Sequence, residues 1–105
     1  MKTFYWDYLL KVEGEYRNVV LALVEYVENP VLKNVIRMWG TLYKEADLYR
    51  VAVLSKDRQA LKTIEELLPL EEAKSAVEKR LFDTGVIQEG DMIEDRTEGA
   101  KDVSQ

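Results

Sequence analysis

Apolar positions recur along this chain at regular spacing. Tyr5, Leu9, Val12, Tyr16, Val19, Leu23 and Tyr26 follow a 4-3-4-3-4-3 pattern, which on a helix holds one stripe toward a partner over three heptads. This predicts helix A, with Thr3 as its N-cap. Gly14 falls inside it, at a cost of about 1 kcal/mol relative to alanine unless it permits close packing. Asn29-Pro30 ends the helix and opens the next: Asn29 suits a cap, and Pro30 the first helical position, where no N–H is required. Leu32, Val35, Trp39, Leu42, Ala46, Tyr49 and Val53 then repeat the pattern as 3-4-3-4-3-4, predicting helix B. Each helix of about 23–26 residues spans roughly 35–39 Å. The short connection makes them antiparallel neighbours, a long αα-hairpin.

Ser55-Lys56-Asp57 is the next break. A short helix C is predicted over about 58–67, with Leu61, Ile64 and Leu67/Leu68 on one side. Pro69 interrupts it. Helix D follows over about 70–83, with Leu70, Ala73, Ala76/Val77 and Leu81 inward. Glu71 and Glu72 in its first turn and Lys79 and Arg80 in its last suit the helix dipole, and Gly85 suits its C-terminal stop. The expected fold is therefore all-α: a long antiparallel hairpin plus two shorter helices, a bundle over residues 1–87. Residues 88–105 lose the periodicity and read as a largely disordered acidic tail.

Mirroring the hairpin about residues 29–30 places apolar stretches at both of its ends and polar residues at its waist. At the far end lie Phe4 to Leu10 and Val51 to Leu54, at the near end Val19 to Val27 and Val31 to Ile36. Gly14 and Gly40 fall at the same level in the waist. Helices C and D are too short to cover both ends, so a second chain is expected to cover one. The anticipated partner interface is Tyr5, Trp6, Leu9, Trp39, Tyr49 and Val53, since Trp and Tyr anchor interfaces.

Composition narrows the chemistry. The 105 residues include no Cys and no His. That excludes disulfides, thiolate nucleophiles, cysteine-based metal clusters, Ser-His-Asp triads and histidine-ligated haem. Asn and Gln are scarce, three of each, beside many Glu and Lys, which leans toward a thermophile. The longest apolar run is the six residues Val19–Val24, well short of the roughly 18–20 needed to span a membrane. The N-terminus lacks the pattern of a secretion signal. A cytoplasmic protein without a membrane partner is expected.

The net charge of −5 is unevenly placed: residues 1–87 carry 13 basic and 14 acidic side chains, and residues 88–105 carry two and six. The waist carboxylates Glu13, Glu15, Glu45 and Asp47 are of the type that binds a hard cation, but solvated ion pairs explain them more simply. Glu25 and Glu28 form an ExxE pair that resembles the first half of the helical nucleotide-pyrophosphatase pattern. The later Glu45-Ala46-Asp47 is one residue too close to complete it. No catalytic residue, cofactor site or metal site is assigned. Lys33, Arg37 and Lys44, with Arg50 on the flank, make a basic face on helix B that could follow phosphates. Glu45 and Asp47 interrupt it.

The leading functional expectation is a non-enzymatic helical interaction module. It would serve as an accessory subunit of a larger assembly or as a homodimeric regulator. The alternative is a nucleic-acid-associated factor using Lys33, Arg37, Lys44 and Arg50, with the acidic tail modulating access.

Overall fold

Eight of the twelve valines lie between residues 19 and 53. Branching at Cβ stiffens a side chain against the preceding helical turn, and it suits the pleated surface of a strand. The computed structural model describes residues 1–10 and 20–97. Its elements are β1 (Thr3–Leu10), β2 (Val20–Asn29), β3 (Lys33–Glu45), β4 (Leu48–Leu54), β5 (Leu61–Leu68), α1 (Leu70–Asp83) and β6 (Met92–Asp95). The expectation of an all-α helical bundle is corrected. Among the described residues, the segments read as helices A, B and C form strands, and α1 is the helix.

The strands form one sheet in the order β5-β4-β3-β2-β1-β6. The first five make an antiparallel meander, and β6 adds to β1 in parallel. β6 draws on the acidic stretch expected as a tail, whose last part, residues 98–105, lies outside the described residues. So do Gly14 and the waist residues Glu13, Glu15, Arg17 and Asn18.

Residues directly opposite each other across strands share a face. Trp6 and Tyr8 of β1 stand opposite Leu23 and Leu21 of β2. Those two stand opposite Gly40 and Leu42 of β3, which in turn face Val53 and Val51 of β4. This face is covered by α1, which buries Ala73, Val77 and Leu81 against it. Phe4, Trp6, Leu21, Leu23, Leu42, Val51 and Val53 form the heart of the core.

The expected helix over 70–83 is found with the same bounds. Pro69 precedes it, its first turn carries Glu71 and Glu72, and Gly85 adopts φ +84° just beyond its end. That conformation lets the Val86 N–H return to the Leu81 carbonyl at 2.9 Å.

After α1 the chain passes to the opposite edge of the sheet. A flat sheet would hold β6 roughly 14 Å from β3. Yet the Lys74 ammonium of α1 is paired with Asp95 of β6, and Trp6 Nε1 donates to Glu78 Oε2 at 3.1 Å. The sheet therefore curls around the helix, in keeping with the twist that strands impose.

The β3–β4 hairpin turns through Ala46 and Asp47, with Ala46 at φ 53°. A side chain is disfavoured there by roughly 1–2 kcal/mol, and glycine is the residue such turns prefer. Ala46→Gly should raise the unfolding free energy by about 0.5–1 kcal/mol, once the extra freedom of glycine in the unfolded chain is subtracted. Urea denaturation of the two proteins checks this, and an unchanged or lower midpoint would contradict it.

Candidate interaction surface

Asn29-Pro30 is a chain reversal, as expected, but it joins strands. Asn29 Oδ1 accepts the N–H groups of Val31 and Leu32, both at 2.9 Å, and Lys33 takes φ 64°. An Asn side chain closing its own turn in this way is a common device of β-hairpins.

The lengths of the neighbouring strands turn this hairpin into an arm. β1 pairs with β2 only as far as Phe4 opposite Glu25, and β4 pairs with β3 only as far as Val53 opposite Gly40. Beyond those points β2 and β3 continue from Tyr26 opposite Ile36 to Asn29 opposite Lys33. Among the described residues no third strand flanks them, so the sheet ends in a projecting two-stranded ribbon. Val31 at its tip is 84% exposed, Leu32 69% and Ile36 55%. Tyr26 and Ile36 lie on the ribbon's outer side, away from α1. Lys33, Val35 and Arg37 lie on the α1 side.

At the ribbon's root, Tyr5 and Tyr26 meet edge to face at 5.3 Å between ring centroids. The Arg96 guanidinium sits 4.1 Å over the Tyr5 ring and 5.6 Å from Tyr26, and lies 3.8 Å from an Asp7 carboxylate oxygen. The Arg96 N–H donates to the Trp6 carbonyl at 2.9 Å, which fixes the backbone beneath this cluster. An arginine over aromatic rings is held both by their quadrupole and by dispersion. The outer face thus carries an aromatic and cationic cluster at the ribbon's base and aliphatic residues at its tip.

The anticipated interface residues are placed differently from one another. Trp6, Trp39, Tyr49 and Val53 are buried in the chain's own core. Leu9 lies in β1, and its side chain is outside the described residues. Tyr5 alone takes part in the outer-face cluster. The basic set is also divided. Lys33 and Arg37 share the ribbon's α1 side, whereas Lys44 and Arg50 lie toward the other end of β3 and β4. Arg50 is held by a bidentate pair with Glu45, at 2.8 and 3.0 Å. The hydrogen bond from Arg50 lowers the Glu45 pKa, and the same bond raises that of Arg50.

Glu25 and Glu28 cannot act together. They are three residues apart on a strand, so they point to opposite faces. Glu25 is buried, accepts Trp39 Nε1–H at 3.1 Å and lies 3.9 Å from the Lys2 ammonium. Among the described residues no group of three or more His, Cys, Asp or Glu side chains is arranged to hold a metal.

The apolar stretch from Val31 to Ile36 is legible in the sequence as an end in want of cover, but its place at the tip of a strand turn is not. The stacking of Arg58 over Trp39, at 5.4 Å, had no sequence signal, because it depends on the β4–β5 connection folding back toward β3. Among the described residues, no helix is long and apolar enough to cross a membrane. Comparison with protein-family models, with curated proteins and with solved structures finds no match for this chain.

Proposed function

We propose that this protein is a non-enzymatic interaction module that docks a protein partner through the projecting β2–β3 ribbon. It would act as an accessory subunit of a larger assembly or as a regulator that pairs with itself. The observation that carries this reading is the pair of aliphatic side chains, Val31 and Leu32, held in solvent at the tip of an ordered arm. Burying each one is worth about 1.5–3 kcal/mol, so a partner with a matching pocket gains from both. The aromatic cluster at the ribbon's base extends the same surface.

A photo-crosslinking amino acid placed at position 32 tests this in cells that naturally make the protein. The control position is Ser75, on the exposed side of α1. One discrete adduct is expected at position 32 and not at position 75, and its mass separates a second copy from another chain. Val31→Asp should reduce the yield at least 10-fold, from the area argument above, with the far-ultraviolet circular dichroism unchanged. The same adducts at both positions, or none at either, would remove this reading.

A further inference from the structure

We propose that the α1 side of the ribbon, together with the β4–β5 connection, is a docking surface for the phosphate backbone of duplex DNA. Four cations lie along it. Lys33 and Arg37 stand four residues apart on one side of β3, about 13 Å along the strand. The register of Gly40 opposite Val53, and Val53 opposite Lys62, sets Lys62 on the same side two strands across from Gly40, and so roughly 14 Å from Arg37. Arg58 comes to the same corner from the β4–β5 connection, its guanidinium over the Trp39 ring. It is held at φ 62° in a connection closed by Ser55 N–H to the Ala60 carbonyl at 2.8 Å.

The charge of this corner runs against that of the chain. The whole protein carries −5. Among the described residues the ion pairs engage Lys2, Arg50, Lys74 and Arg96, and none engages Lys33, Arg37, Arg58 or Lys62. Two acids lie near it. Glu25 is buried on Trp39 and Lys2, and Asp57, kept charged by the Ser55 hydroxyl and the Gln59 N–H, offsets one of the four cations. What remains is a patch of net positive charge, which is the requirement of a polyanion site.

The structure also favours a duplex over a single strand. Single-strand binders stack bases on exposed aromatic rings. The ring found at this corner among the described residues, Trp39, is 5% exposed and roofed by Arg58. The described patch therefore offers contacts to phosphates rather than to unstacked bases, which suits a backbone carrying a charge about every 3.4 Å per strand.

Anisotropy titrations of the full chain against labelled duplex DNA, single-stranded DNA and duplex RNA of one length test the proposal. Binding to duplex DNA is expected at about 50 mM monovalent salt. With four phosphate contacts it should weaken on the order of 100-fold by 200 mM, because each contact contributes a slope of about −0.9. Arg37→Ala/Lys62→Ala should weaken binding about 10-fold and reduce the slope by about 1.8. Lys44→Ala/Lys79→Ala removes the same charge elsewhere and should leave the slope in place. The tip residues Val31 and Leu32 are untouched by either pair, so this result is independent of the protein-docking reading. Absence of binding at low salt, equal losses in the two double variants, or tighter binding of single-stranded DNA or duplex RNA would overturn it.

Discussion

Gly40→Val should destabilise the protein by about 3 kcal/mol or more, and Gly40→Ala by about 2 kcal/mol. Gly40 lies on β3 under α1, where a Cβ would stand 2.6 Å from Val77 Cγ1 and 3.4 Å from the Ala52 carbonyl oxygen. Something must shift, and the neighbour is poorly suited to yield. A valine in a helix is confined almost to one χ1 rotamer, and Val77 is fully buried in the core. The helix as a whole would have to lift, loosening the packing of Ala73, Val77 and Leu81 over Val51 and Val53. The double variant Gly40→Ala/Val77→Ala isolates the cause. It should recover at least half of the loss of Gly40→Ala relative to Val77→Ala alone, because the clash is then gone. Chemical denaturation of the four proteins measures the cycle, and strict additivity would show that the cost of Gly40→Ala lies in the strand.

The same residue shows what the sequence could convey. The sequence pattern places Gly40 level with Gly14 in the waist of a helical hairpin. In fact it is where a helix meets a sheet, and only the topology could say so. The period was the source of the misreading. Along β1, Phe4, Trp6 and Tyr8 alternate with Thr3, Tyr5 and Asp7 as a half-buried strand should. Tyr5 and Leu9, however, also satisfy a heptad with Val12. In β2 the run Leu21–Val24 is apolar at every position because both faces of that central strand are buried: Leu21 and Leu23 on α1's side, Ala22 and Val24 on the other. A continuous apolar run fits any period, and β-branching is then the better arbiter. Helix α1 was legible because its signals are local: Pro69 before it, acids in its first turn, Gly85 after it. The Asn29-Pro30 reversal was legible for the same reason. The projecting arm was not, since it depends on β1 and β4 being shorter than the strands they flank. Nor was the basic corner, which needs the β4–β5 register to bring Lys62 to the same side of the sheet as residues more than twenty positions earlier.

The second large effect is expected at the tie between α1 and β6. Lys74→Met should cost about 3 kcal/mol at neutral pH, the lower end for breaking a buried ion pair. Lys74 is almost fully buried, and its ammonium is paired with Asp95 and donates to Thr97 Oγ1 at 3.1 Å. Asp95 Oδ1 also accepts the Thr97 N–H at 2.8 Å, and the Tyr8 hydroxyl donates to the Thr97 carbonyl at 3.4 Å. Burial pushes the Asp95 carboxyl up, but the hydrogen bonds from Lys74 and Thr97 outweigh it and hold its pKa below the usual 3.8. A depressed carboxyl contributes stability that is fully present above its unfolded pKa and is lost as pH falls through its folded value. The native protein should therefore lose part of its stability below about pH 4. In the Lys74→Met variant the sign reverses. The carboxylate keeps its burial without its cation, its pKa rises, and protonation relieves it. The cost of the substitution should accordingly shrink between pH 7 and pH 3. Urea unfolding of both proteins at the two pH values measures the change. A penalty independent of pH would mean that the methionine fails by its shape and that the ion pair does not hold β6 to the helix. Lys74→Met/Asp95→Asn separates these cases, because the amide oxygen keeps an acceptor for the Thr97 N–H while the unpaired charge is removed, so at pH 7 the double variant should be more stable than Lys74→Met alone.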